Sequence, residues 1–217
     1  MTGILGYMLI NLPSVRMACL RESASVLRYL ANKGADLNLV MDNEECTPLQ
    51  LVAKSGSLPM IKLLLELGAD INGKPGEKGS TIHYALLSTD ESVVRFVLDN
   101  GALVDDSSPS RSTLCKAIRF ALVDLVPLLL EKGADVNKEE LSWTPVALAF
   151  SKKRTELVKM LMAHGATFAD AGPDVLLETV RSGTLAEIKE LLDYGMDPNC
   201  HDEYHTSIGV SFQWCDS

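Results

Sequence analysis

Large rings are scarce in this 217-residue chain, where Phe, Tyr and Trp make up 6% of the residues. A sandwich or barrel built around aromatic side chains is disfavoured by that alone. No apolar run approaches the roughly 20 residues that a helix needs to cross a bilayer. The apolar stretch Ile4 to Leu12 is short, follows no Lys or Arg and stops at Pro13, so it does not read as a signal peptide. Positive charge is also short: 20 Lys and Arg stand against 29 Asp and Glu, a net charge of −9. General nucleic-acid binding, which needs a cationic surface to displace counterions, is disfavoured. The five cysteines (Cys19, Cys46, Cys115, Cys200, Cys215) are odd in number and widely spread, and read as reduced thiols of a cytosolic or nuclear protein. Apolar residues, at 47%, are ample for a core, and the 23% of charged residues is ordinary for a folded chain.

Internal repetition organises the rest. Gly34-Ala35-Asp36-Leu37-Asn38 returns as Gly68-Ala69-Asp70-Ile71-Asn72 and as Gly133-Ala134-Asp135-Val136-Asn137, with weaker copies beginning at Gly101, Gly165 and Gly195. Successive glycines lie 34, 33, 32, 32 and 30 residues apart. The position four before each glycine is always aliphatic (Leu30, Leu64, Val97, Leu129, Leu161, Leu191). The position sixteen before is small or β-branched: Ala18, Val52, Ala85, Ala117, Ala149, Thr179. A period near 33 in six copies means stacked supersecondary units.

The second copy shows how one unit folds. Thr47 caps a helix that Pro48 can begin, and Leu49, Val52 and Ala53 give it an apolar face. Gly56 breaks that helix, Pro59 opens a second, and Gly68 ends it in a left-handed conformation. A polar loop leads to the next copy. Neither helix can bury its face alone, so neighbours must stack, and Ala at Ala117 or Ala149 sets how closely. Pro127 is expected to kink the fourth copy's second helix near its start. Lys138 is expected on an exposed loop, and Gly73 to Gly79 is expected to form a hairpin tip.

At these residues the chain resembles the ankyrin repeat family. The family's Thr-Pro-Leu-His-x-Ala signature stands as Thr47-Pro48-Leu49-Gln50-Leu51-Val52, Ser80-Thr81-Ile82-His83-Tyr84-Ala85, Ser112-Thr113-Leu114-Cys115-Lys116-Ala117 and Thr144-Pro145-Val146-Ala147-Leu148-Ala149. The first and sixth copies lack the full signature. The expected fold is an all-α solenoid of stacked helix-turn-helix units with hairpin-like loops. Residues 13–200 form the array of about six units, residues 1–12 a cap or the remnant of a preceding repeat, and residues 201–217 an incomplete seventh unit or tail. Apolar residues at both ends (Met8, Leu9, Ile10, Leu12; Ile208, Val210, Phe212, Trp214) fit improvised caps or a piece of a longer array. In the family, asparagines such as Asn38, Asn72, Asn137 and Asn199 can be hydroxylated. As turn residues they are expected to bond their own backbone.

Chemistry is thin. Cys200-His201, His205 and Cys215 have metal-ligating side chains, but the first two are adjacent and no Cys-x2-Cys pair accompanies them, so a loop with incidental polar residues is the better reading. Gly73-Lys74-Pro75-Gly76 lacks the spacing of a phosphate-binding loop. His83 is expected to hydrogen-bond its loop and the neighbouring unit, and His164 to sit at a helix C-terminus. Neither has a partner at triad-like spacing. No cofactor and no catalysis are expected.

The resemblance implies that the first helices and the hairpin tips meet a protein partner. Seventeen residues before the glycines stand Met17, Leu51, Tyr84, Lys116, Leu148 and Glu178, and thirteen before stand Arg21, Ser55, Ser88, Phe120, Lys152 and Ser182. Met17, Leu51 and Tyr84 suggest an early apolar strip. The expected partner-binding set is Tyr84, Arg111, Lys116, Arg119, Phe120, Trp143, Leu148 and Lys152, because Trp beside cations is a frequent hot-spot composition. Residues 138–169 carry five basic and three acidic groups, and residues 170–217 two basic and ten acidic, so the centre is the end that attracts an acidic partner. The reading is a monomeric, non-enzymatic scaffold or adaptor of the cytoplasm or nucleus, binding protein rather than nucleic acid or membrane. The alternative is the recognition or regulatory arm of a larger ubiquitin-ligase adaptor, kinase or other enzyme.

Overall fold

A computed structural model describes residues 14–41, 45–74, 78–106, 111–141, 143–168 and 174–198. The expected cap at 1–12, the partial unit at 201–217, the Cys200, His201, His205 and Cys215 cluster, Asn199 and the centre of the Gly73 to Gly79 tip lie outside the described residues. The described residues form twelve α-helices in six consecutive pairs and no strand. The pairs are α1 (14–20) with α2 (Ala24–Asn32), α3 (Pro48–Ser55) with α4 (Leu58–Glu66), and α5 (Thr81–Leu87) with α6 (Glu91–Asp99). They continue as α7 (Thr113–Arg119) with α8 (Val126–Glu131), α9 (Pro145–Ser151) with α10 (Thr155–Ala163), and α11 (Asp174–Ser182) with α12 (Leu185–Asp193). One-bridge hairpins, Met41 with Cys46 and Glu140 with Trp143, are the extended pairings among these residues.

Local chemistry sets the helix ends. Thr47 and Gln50 form a reciprocal capping box, and Ser112 and Thr144 cap α7 and α9 through their hydroxyls. Gly68 takes φ 93° at the end of α4. In the first five pairs the turn between the helices also holds a left-handed residue. Gly56 supplies it in the second unit, but Glu22, Thr89, Ala121 and Lys153 supply it elsewhere with φ between 51° and 60°. In the fourth unit a 3-10 turn, Val123–Leu125, leads into α8, and Pro127 sits in the first turn of that helix, where its missing N–H costs nothing.

Packing follows the small column. Ala85, Ala117 and Ala149 are buried within the stack, and Ala18 is buried at its first described unit. Added methylenes there would overpack the stack by roughly 1–3 kcal/mol.

Two further positions tie unit to unit. Asn38 bonds the backbone of the next unit: its Nδ2 donates to the Gly68 carbonyl at 3.4 Å, and its Oδ1 accepts from Asp70 N–H at 2.7 Å. Asn72 and Asn137 repeat the pattern with Gly101 and Leu103, and with Gly165 and Thr167. The expectation that these asparagines bond their own backbone is therefore corrected. Asp36, Asp70 and Asp135 make the local turn by accepting from the asparagine N–H two residues on, which frees each asparagine side chain to reach across. Lys138 is corrected as well. It is largely buried, donates to the Asp106 carbonyl at 2.7 Å and stands 3.8 Å from the Asp105 carboxylate.

Candidate protein-binding face

The inner helices α5, α7 and α9, their C-terminal caps and the loops that lead into them carry the predicted partner residues. Tyr84 and Leu148 do not reach the surface. Tyr84 is 2% exposed, and its hydroxyl accepts from Lys78 N–H at 3.2 Å, so the ring anchors the loop before α5. Leu51 is buried too, which removes the apolar strip and leaves Met17 as its one exposed member.

The central cations are held by acids of the same chain. Glu140, near the base of the hairpin before α9, lies 3.4 Å from Arg119 and 3.9 Å from Lys116. Arg111 pairs with Asp106 at 3.2 Å. Burial pulls the Lys116 ammonium below its ordinary pKa, opposed by the Glu140 charge. Phe120 caps the C-terminus of α7, half-buried against the core, and Lys152 caps α9 in solvent.

The hairpin before α9 presents what sequence reasoning missed. Glu140 and Trp143 exchange backbone hydrogen bonds at 3.0 and 3.1 Å, which turns the chain at Leu141 with φ 53°. Leu141 is 71% exposed, and Trp143 beside it is half-buried. A leucine in left-handed backbone at an exposed tip is unusual. The sequence signal was its place between Glu140 and Ser142 in a turn, away from either helical face.

Both histidines among the described residues, His83 and His164, bond to their own surroundings. His83 is fully buried, its Nδ1 2.9 Å from Ser80 Oγ and its Nε2 3.5 Å from Thr113 Oγ1. Thr113 Oγ1 already directs its single proton to the Val104 carbonyl or Asp105, so it accepts from His83 Nε2–H, and Nδ1 accepts from Ser80. A Cβ on Gly79 would stand 2.9 Å from the His83 ring, so glycine is required where the loop crosses it. His164 Nδ1 donates to the Met160 carbonyl at the end of α10. Among the described residues no group of three His, Cys, Asp or Glu side chains is placed to hold a metal ion, and no helix is long and apolar enough to cross a membrane.

A family model described as "Ankyrin repeats (3 copies)" matches residues 15–108, 82–171 and 114–202. An ankyrin repeat protein of fowlpox virus is 32% identical over 159 residues, covering 68% of this chain and 46% of its own length. Human Ankyrin repeat and SOCS box protein 6 is 29% identical over 160 residues, 70% of this chain and 35% of that protein. Ankyrin repeat and KH domain-containing protein mask-1 of Caenorhabditis elegans is 27% identical over 223 residues, 88% of this chain and 8% of that protein. The chain thus spans less than half the length of these relatives. The overlapping family matches run through all six helix pairs, and the capped inner helices, left-handed glycines and unit-bridging asparagines recur with them: the chain belongs to the ankyrin repeat family.

Proposed function

We propose that this array is a non-enzymatic protein-binding module of the cytoplasm or nucleus, and that its partner lies across the fourth and fifth units. Ankyrin repeats imply a protein-binding role in general. The observation that carries the specific face is the exposed Leu141 beside a half-buried Trp143, with Arg119 of α7 held against that hairpin by Glu140 and the exposed Lys152 at the far end of α9. Apolar anchors with cations around them suit an extended, acidic-apolar segment: the anchors supply most of the free energy, and the charges set approach and register. Arg111, Lys116 and Phe120 border the same face; Tyr84 and Leu148 support it from within.

Surface plasmon resonance against a recovered partner tests the face. Trp143→Ala and Leu141→Ala are expected to weaken binding at least tenfold, and Glu131→Ala on the outer helix α8 to leave it unchanged. Full binding by Trp143→Ala with loss in Glu131→Ala would place the partner on the opposite side.

A second reading makes the array the recognition arm of a longer protein, such as a ubiquitin-ligase adaptor. It is supported by relatives whose names carry a SOCS box or a KH domain beside the repeats and by the share of their length that this chain covers.

A further inference from the structure

The first and last described units expose side chains whose equivalents are buried between other units. Val26, eight residues before Gly34, is 45% exposed, whereas Met60, Val93, Leu125 and Leu157 at the same position are buried. Val180, fifteen residues before Gly195, is 58% exposed, whereas Cys19, Ala53, Leu86 and Ile118 at that position are buried.

The two sets face opposite ways along the stack. Between the fifth and sixth units a cavity of about 70 Å3 is lined by Phe150 and Lys153 from one side and by Val175, Thr179 and Glu187 from the other. Phe150 holds the position of Val180. Val175, Thr179 and Glu187 hold the positions of Ser14, Ala18 and Val26. On the first unit, those last three residues and Met17 line an open groove of about 510 Å3. The groove is therefore the receiving side of a junction, and Val180 belongs to the entering side.

The outer helices complement each other at the same register. Lys62 lies over the Phe96 ring at 5.3 Å across the second junction, and Lys132 meets Asp99 at 3.4 Å across the third. At the two ends, the positions of Lys62 and Phe96 hold Lys189 and Tyr29, and those of Asp99 and Lys132 hold Asp193 and Lys33. The net charges are opposite: residues 14–41 carry four cations and two anions, residues 174–198 two cations and six anions.

We propose that the sixth unit of one copy seats on the first unit of a second copy, head to tail, in the register of an ordinary junction. Val180 enters the groove lined by Met17 and Val26, Lys189 lies over Tyr29, and Asp193 pairs with Lys33. The contact is heterologous, so each pair keeps one free end of each kind and can lengthen.

Sedimentation velocity on the full chain tests this. The mean mass is expected to rise with concentration past that of two chains, and to fall at high salt as the opposite charges are screened. Val26→Glu and Val180→Glu alter exposed positions, so each is expected to keep its helical circular dichroism and to remain a single chain. Mixed in equal amounts they are expected to form a dimer and stop, because one compatible pair of ends survives. Lys33→Asp and Asp193→Lys are each expected to weaken association about tenfold, and the double variant to recover it. A single-chain mass for the parent at every concentration overturns the proposal, as does a Val26→Glu and Val180→Glu mixture that stays monomeric.

Discussion

Cys115 Sγ donates to the Trp143 carbonyl oxygen at 3.2 Å and so ties α7 to the hairpin that leads into α9. The same repeat position does similar work in the two preceding units. Gln50 Nε2 donates to the Lys74 carbonyl at 3.0 Å, and His83 reaches Thr113. The fifth unit has Ala147 there, a methyl group with no hydrogen to donate. Its junction with the sixth unit relies on rings instead: Phe168 meets Phe150 edge-on at 5.9 Å and stacks on Tyr194 at 5.5 Å.

The Cys115 thiol is committed to that tie and held dry. Burial pushes its pKa up to about 12, and burial together with the neighbouring Cys46 does the same to Cys19. The thiolate is the reactive form, so both residues are expected to resist iodoacetamide at pH 8 until the chain unfolds. Peptide mass spectrometry after native labelling reads each site separately. Modification of Cys115 in the folded protein at the rate of a free thiol would contradict this packing.

His83 makes the third unit sensitive to acid. Burial, with Lys116 adding to it, lowers its pKa from 6.5 to about 4, while Asp106 and Asp105 pull the other way and Lys138 again lowers it. The unfolded chain therefore binds a proton between pH 6.5 and 4 that the folded chain does not. Stability is complete above the unfolded value and is lost as pH falls through that window, by up to about 3 kcal/mol. Urea midpoints measured from pH 7 to pH 4 should fall more steeply for the parent than for His83→Gln, which places at this position the residue that Gln50 already provides one unit earlier. Parallel slopes would mean that the ring is protonated in the folded state.

The asparagine bridges carry measurable stability. Asn72 Nδ2 donates to the Gly101 carbonyl and its Oδ1 accepts from Leu103 N–H, each at 2.8 Å. At the next junction Asp105 accepts from Asp135 N–H at 2.9 Å but has no hydrogen for a carbonyl, and Lys138 supplies the further donor through Asp106. Asn72→Ala is expected to cost about 1–3 kcal/mol, since two bonds between units go at once. Lys138→Ala is expected to cost more than the roughly 0.5 kcal/mol usual for a surface change. Chemical denaturation gives both numbers, and a neutral Lys138→Ala would return that residue to an exposed loop.

The repeat made the fold legible, and the small column, the Thr and Ser caps and the left-handed Gly68 were each readable from one unit. The face was harder to read, because position in the repeat says which way a residue points along the inner helix but not whether the next unit covers it. Tyr84 and Leu148 share a column with Lys116, and all three were expected outside. The apolar pair packs inward, and Lys116 keeps contact with the hairpin through Glu140. The positive-φ residues Glu22, Thr89, Ala121 and Lys153 left no trace in composition, since a turn fixed by packing on both sides imposes its backbone on any residue. Glu140 was invisible for a related reason: its partners come from another unit, 21 and 24 residues earlier by numbering.

Glu140 sets a balance between stability and binding. Its carboxylate, only 12% exposed, neutralises Lys116 and Arg119 together. Glu140→Gln keeps the shape and removes the charge, leaving Lys116 in a partly buried site without its main opposing anion. Breaking a buried pair from one side costs more than the pair contributes, though the half-exposed Arg119 is screened and adds little. A loss of about 1–3 kcal/mol is expected, read as a lower urea midpoint with an unchanged slope. The same change leaves two cations uncompensated on the face proposed for an acidic segment. Association with such a partner is therefore expected to speed up several-fold at low salt and converge with the parent at high salt, since steering charges act mainly on the encounter. Stopped-flow mixing at two ionic strengths measures it. A Glu140→Gln variant that is less stable but associates no faster would mean that the partner does not approach over Lys116 and Arg119.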